Sequence, residues 1–182
     1  MVGNSGSGKT VLGRALAGQL AVPFVELDAL YHQPGWRPLP VEDFRGRVAA
    51  VVAQDSWVID GNYSAVRDLV WARADTVIYF DLSRRLVMWQ IMLRTLRRAV
   101  TRVELWNGNR EPITGVFRID PDRSILRWAW TQHRKYQARY TEAAREPTYA
   151  HLSFVRIGSR ADARRLLAGQ IHPVVPAEGP EE

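Results

Sequence analysis

Residues 1–10 read Met1-Val2-Gly3-Asn4-Ser5-Gly6-Ser7-Gly8-Lys9-Thr10. Glycines at 3, 6 and 8 let backbone N–H groups approach and surround a phosphate. A helix starting near Lys9 adds the positive end of its dipole. Lys9 is placed to reach terminal phosphates, and Thr10 to set its hydroxyl on Mg²⁺. The stretch Gly3, Asn4, Ser5, Gly6, Ser7, Gly8, Lys9 and Thr10 is thus a phosphate-binding loop by pattern. Such a loop normally follows a buried apolar strand, yet only Met1 and Val2 precede it. The expectation is a natural chain that starts upstream, or a chain less stable than its relatives.

Working outward, Lys9–Leu20 has helical spacing at Leu12, Ala15, Leu16, Gln19 and Leu20. "FVELD" reads as a short strand after Pro23. "ALYHQPGWRPLP" follows, whose three prolines and one glycine argue against regular structure. Residues 41–54 read as a helix, "SWVID" as a buried strand, "YSAVRDLVWARA" as a short helix and "TVIYFD" as a third strand. A helix is expected over 86–98, with Leu86, Trp89, Leu93 and Leu96 along one side. A loop follows through Arg123, then a long helix that Asp122 can cap, running to about Arg145. "LSFVRI" is the last strand, and Ser159 can cap the helix after it.

Strand and helix alternate throughout. The expected fold is α/β: a three-layer P-loop NTPase with a parallel sheet of about five strands, helices on both faces and an Arg-rich lid. Residues 1–170 form a single domain in this reading, with the lid at about 99–121. The tail 171–182 is expected to be disordered.

The 182 residues include no cysteine, which excludes disulfides and zinc–cysteine sites. No signal peptide and no apolar run of membrane-spanning length is visible, so a cytoplasmic protein with no membrane partner is expected. The net charge of +6 is uneven: residues 84–139 carry net +9, between flanks of −2 and −1. A segment of that sign attracts a polyanion, whether nucleotide phosphates, nucleic acid or an acidic partner.

A phosphate loop needs an acid to orient its metal, and two aspartates end apolar strands. Asp60 in "WVID" is the preferred metal-water ligand. Asp81 in "VIYFD" is followed by Ser83, a good helix cap, which favours a structural reading. Neither is followed by Glu, as rapid ATP hydrolysis often requires, and this leans toward transfer to a bound acceptor. Arg94, Arg97 and Arg98 end one helix, and Arg102, Arg110, Arg118, Arg123 and Arg127 lie in or beside the next loop. Arginines on a closing loop neutralise a moving phosphoryl group and exclude water.

Together these residues resemble the adenylate-kinase-like P-loop kinases, and within them the topology modulation protein family. "GNSGSGKT" fits the kinase form of the loop. "LDALYHQPGW" and "WVIDGNYS" are similar to the family's two signature stretches, and "DLSRRLVMWQIMLRTLRR" to its strand-to-lid segment. The resemblance covers residues 1–170. It implies that Asp60 orients Mg²⁺, that Arg94 opens the lid, and that Asp28 faces the acceptor. The lid would be "WNGNREPITGVFRIDP", without zinc ligands. The Thr-Gly motif that binds AMP in adenylate kinases is absent, and Asn62-Tyr63-Ser64 stands where they carry an arginine. Both departures argue against AMP. A hydroxyl acceptor would give Asp28 the role of base, whereas a phosphate acceptor would need Arg37 or Arg67 as a clamp. Tyr31, His32 and Trp36 are candidates to line the acceptor pocket or to pack the loop.

The expected activity is ATP-dependent phosphoryl transfer to a small acceptor: a nucleotide, a nucleoside or a hydroxylated metabolite. Lys9, Arg94, Arg98 and Asp28 are the expected catalytic residues. Thr10 and Asp60 are the metal site, with ATP and Mg²⁺ as cofactors. A monomer or homodimer is expected, and nucleic acid is the secondary partner. The alternatives are a nucleic-acid-associated ATPase or topology-modulating regulator, and a nucleotide-binding module with little catalysis.

Overall fold

The computed structural model describes residues 1–101, 103–110 and 139–170. The strands are β1 (Val2–Gly3), β2 (Phe24–Glu26), β3 (His32–Gln33), β4 (Arg37–Pro38), β5 (Val58–Asp60), β6 (Thr76–Phe80) and β7 (Ser153–Ile157). The helices are α1 (Lys9–Leu20), α2 (Leu27–Tyr31), α3 (Val41–Val52), α4 (Arg67–Arg73), α5 (Arg84–Thr101) and α6 (Arg160–Leu167). Residues 139–143 are also helical, and they fall within the stretch where a long helix to about Arg145 is expected. The earlier part of that stretch, residues 102 and 111–121 of the expected lid, and the tail 171–182 lie outside the described residues.

The parallel sheet is smaller than the five strands expected. β1, β6 and β7 form a three-stranded parallel sheet, and β2 pairs with β5 as a separate parallel ladder. The physical reason is the length of β1. Only Met1 reaches β5: its nitrogen donates to the Ile59 carbonyl, and its own carbonyl accepts from Gly61 N–H at 3.2 Å. A side chain then takes over the pairing. Gly3 N–H donates to Asn62 Oδ1 at 2.9 Å, and Asn62 Nδ2 donates back to the Gly3 carbonyl. The Asn62 carboxamide therefore acts as a peptide group would in a ladder.

Alternation along β6 divides the core. Val77 and Tyr79 face one side, packed with Trp71, Tyr140 and Phe154. Ile78 faces the other, with Val155, Ile157 and Leu12 of α1, against Ala163 and Leu166 of α6. This is the layered arrangement that a sheet buried on both faces requires. A third cluster sits over β5, where Phe44 and Val48 of α3 are fully buried with Leu27 and Val66.

Two expectations need correction. The stretch after β2 is more regular than its prolines suggested. Strand β2 stops at Glu26, so Leu27 and Asp28 already lie in α2, and a short antiparallel hairpin β3–β4 follows. Its prolines sit where a missing N–H costs nothing: Pro34 opens a 3₁₀ turn, Pro38 lies in the exposed two-residue β4, and Pro40 caps α3. On α5, the buried face is Val87 and Ile91, with Thr95, whereas Trp89, Leu93 and Leu96 are exposed. The helix carries apolar residues on more than one side, so its spacing alone could not select the packed face.

Phe44→Ala removes a fully buried ring from the α3 cluster. We expect a loss of about 3–5 kcal/mol in denaturant unfolding; a change below about 1 kcal/mol would mean that α3 is not part of the cooperative core.

Candidate active site

The loop 4–8, the candidate phosphate loop, connects β1 to α1 and is held from several sides. Thr10 Oγ1 donates to Asp60 Oδ2 at 2.7 Å, which ties the first turn of α1 to the end of β5. Lys9 Nζ donates to the Asn4 carbonyl at 2.8 Å. Arg94 Nη1 donates to Ser5 Oγ at 3.2 Å, which joins α5 to the loop. Gly6 has φ +75°, and a Cβ there would lie 2.6 Å from Ile91 Cγ1. The loop can thus sit on α5 only without a side chain at this position. Gly61, with φ +155°, has the same constraint against Leu27, where a Cβ would approach within 2.7 Å. That turn directs Asp60 to one side of the loop and Asn62 to the other.

A cleft of about 800 Å³ opens beside the loop. Of the sequence candidates, Ser5, Gly6, Gly8, Lys9, Thr10, Asp28, Asp60, Arg94 and Arg98 line it. Gly3, Asn4 and Ser7 do not; Asn4 and Ser7 are buried beneath it. Asp81 pairs with Arg156 at 2.6 Å, away from the cleft. The candidates Arg102, Arg118, Arg123 and Arg127 lie outside the described residues. A second, mostly apolar pocket of about 450 Å³ adjoins the cleft, sharing Gly8, Val11 and Gln90 with it and extending over Leu82, Ile157 and Ser159.

The electrostatics follow from burial. Desolvation holds the Lys9 ammonium below the usual lysine pKa, while nearby Asp60 and Asp28 oppose the shift. Phosphate oxygens at this position would supply the missing counter-charge. Asp60 Oδ1 is buried and has no hydrogen-bond partner among the described residues. An orphaned carboxylate oxygen costs stability unless something fills its place. An oxygen next to the Thr10 hydroxyl suits a magnesium-bound water, so the residues present fit that ion. Among the described residues, no cluster of three His, Cys, Asp or Glu forms a site that would hold a metal by protein ligands alone.

The far wall contains residues that the sequence did not single out. Tyr63 donates its hydroxyl to Asp28 Oδ1 at 2.6 Å and lies 3.3 Å from His32 Nε2. Burial, then the Asp28 charge, pushes the Tyr63 phenol well above its ordinary pKa. Residues 103–110, which belong to the expected lid and follow α5, fold down onto this wall. Trp106 Nε1 donates to Glu26 Oε2 at 3.1 Å, and Asn107 Nδ2 donates to the Ala29 carbonyl at 3.0 Å. Asn109 Nδ2 donates to the Gln33 carbonyl at 3.0 Å, and its Oδ1 accepts from Trp36 N–H at 2.9 Å. Trp36 adopts φ +59°, a conformation that costs a bulky residue about 1–3 kcal/mol, and the Asn109 contact helps hold it there. Of the three aromatic candidates only His32 lines the cleft. Tyr31 packs on Phe44 and Tyr63, and Trp36 on His32 and Trp106.

Comparison with solved structures finds a gluconokinase from Sinorhizobium meliloti 1021, with a TM-score of 0.52 and 21% identity, over 93% of this chain and 88% of that one. No protein-family model and no curated protein matches the sequence. At that identity the likeness shows the fold alone, an α/β fold with a parallel sheet covered by helices.

Gly6→Ala should weaken nucleotide binding and cost about 1–3 kcal/mol of stability, because the added methyl group meets Ile91. Calorimetric nucleotide titration with urea unfolding checks both. Asn109→Ala should make the Trp36 amide exchange with deuterium about 10-fold faster or more, with the protein still folded. An unchanged exchange rate would show that the clasp is not what holds the segment down.

Proposed function

We propose that this chain is an ATP-dependent phosphotransferase acting on a small acceptor, of the kind that its resemblance to topology modulation proteins and adenylate-kinase-like kinases implies. One observation carries the reading: Lys9, the Thr10–Asp60 pair, Arg94, Arg98 and Asp28 line a single cleft that a phosphate loop bounds on one side. The ATP base fits the adjoining apolar pocket, and the phosphates fit the loop. Magnesium, when bound, would neutralise phosphate charge and help orient the terminal phosphoryl group. Thr10 and Asp60 would hold it, and Asp60 would act through water. Lys9, Arg94 and Arg98 would stabilise negative charge on the phosphoryl group in flight. Asp28 lies on the opposite side, where an acceptor would enter.

The segment folded over the acceptor side favours a small molecule over nucleic acid. Among the described residues, no helix is long and apolar enough to cross a membrane. We keep the single-domain reading of 1–170, with the lid at about 99–121, as part of the proposal.

The test is an ATP-consumption screen against nucleotides, nucleosides and hydroxylated metabolites. We expect acceptor-dependent ADP formation, lost by about 100-fold or more in Lys9→Ala. Hydrolysis that no acceptor accelerates, but that DNA stimulates, would overturn the proposal; that DNA effect would fall steeply with salt. Asp60→Asn should raise the Mg²⁺ concentration needed for half-maximal rate while preserving the fold. An unchanged requirement would remove Asp60 from the metal site.

A further inference from the structure

We infer that the acceptor is a hydroxyl-rich molecule without an anionic group, recognised through a hydrogen-bond chain from His32 through Tyr63 to Asp28. The inference rests on the phosphotransferase reading and narrows its acceptor.

The Tyr63 hydroxyl has one proton, and the 2.6 Å contact commits it to the Asp28 carboxylate. His32 Nε2, 3.3 Å from the same hydroxyl oxygen, must then be the donor. A neutral His32 therefore carries its proton on Nε2 and presents Nδ1 as an acceptor. Nδ1 is buried and has no partner among the described residues. Tyr63 occupies one oxygen of Asp28 and leaves the other for a ligand. The group left open on this wall is thus the second Asp28 oxygen, a hydrogen-bond acceptor, and a hydroxyl group is the donor that matches it.

Charge points the same way. An acceptor phosphate or carboxylate would need a cation on this wall. Arg37 and Arg67, the two candidates for that role, do not line the cleft. Arg37 donates to the Pro34 carbonyl, and the Arg67 guanidinium lies 5.7 Å from the Trp71 ring centroid. The wall instead presents Glu26 and Asp28. Arg14 and the Trp106 indole partner Glu26; among the described residues the Asp28 carboxylate accepts from the Tyr63 hydroxyl and has Lys9 as its nearby cation. The described cations of the cleft, Lys9, Arg94 and Arg98, come from the phosphate loop and α5, and the first two bond to the loop itself. An anionic acceptor would meet like charge at Asp28. The near-parallel His32 and Trp106 rings, 6.3 Å apart, add apolar surface for a carbon skeleton.

In the transfer, the acceptor oxygen bonds to the γ-phosphorus of ATP, and the bond from that phosphorus to the β–γ bridging oxygen breaks. ADP leaves with that electron pair. The hydroxyl proton passes to the open Asp28 oxygen and then to solvent. Asp28 is the catalytic residue; Tyr63 is a positioning residue that fixes which oxygen faces the acceptor.

The test measures ADP formation with ATP and Mg²⁺ across paired acceptors: polyols, hexoses and nucleosides against aldonic acids, hexose phosphates and nucleoside monophosphates. The inference expects the non-anionic member of at least one pair to have kcat/KM about 10-fold or more above its anionic counterpart. Preference for the anionic members overturns it. With the best substrate, Tyr63→Phe should lower kcat/KM for the acceptor by about 10–100-fold, mainly through kcat, because the Asp28 carboxylate loses the contact that orients it. The Kd for ATP should not change. A loss of activity that follows only the folded fraction, with kcat per folded molecule unchanged, overturns the Tyr63 role. If ATP binds but neither arm raises ADP formation above the blank, the phosphotransferase reading fails, and this inference fails with it.

Discussion

Everything at this site depends on how the end of β5 grips the candidate phosphate loop. Asp60 accepts from Thr10, and two residues later the Asn62 carboxamide both accepts from and donates to the Gly3 backbone. The loop is therefore pinned near both ends by one short turn. A polar turn buried between a sheet and a cleft must satisfy its hydrogen bonds, or it costs stability. Here the satisfaction and the positioning are the same contacts. Tyr140 adds a hydrogen bond to Asn62 Oδ1 at 3.1 Å, which extends the grip to the helical segment 139–143.

That grip compensates for a strand of two residues. In a parallel sheet an interior strand needs neighbours on both sides to pair its backbone. β1 pairs with β6 along its whole length but reaches β5 only through Met1. The Asn62 side chain supplies what the next backbone unit would have supplied. At this end the loop position depends on the Asn62 side chain rather than on a backbone ladder.

The parts legible in the sequence were those whose signal is local. The loop pattern and the bounds of α1 were read from adjacent residues, and so was Ser159, whose side chain accepts from Asp162 N–H at 3.1 Å to cap α6. β6 was legible because β-branched and aromatic residues crowd one short run. The wall opposite the loop was not. Tyr63 meets Asp28 across 35 positions, and Trp106 meets Glu26 across 80. No spacing rule reports such pairs, since they depend on how α2 and the 103–110 segment pack. Asn62 stood out in the sequence only as a residue replacing an expected arginine, and its partner, Gly3, lies 59 positions earlier. On α5 the apolar residues surround the helix, so the face that meets Gly6 could be recognised only after folding.

The central claim is that the cleft moves a phosphoryl group rather than only holding a nucleotide. Phosphorus NMR of ATP with Mg²⁺, the protein and a pool of polyhydroxylated acceptors follows the γ-phosphorus itself. The account predicts that its signal is lost as a new phosphomonoester signal grows, at equal stoichiometry with ADP, and that Lys9→Ala stops both. A γ-signal that persists unchanged while ATP is bound, or that passes entirely into inorganic phosphate, would contradict it.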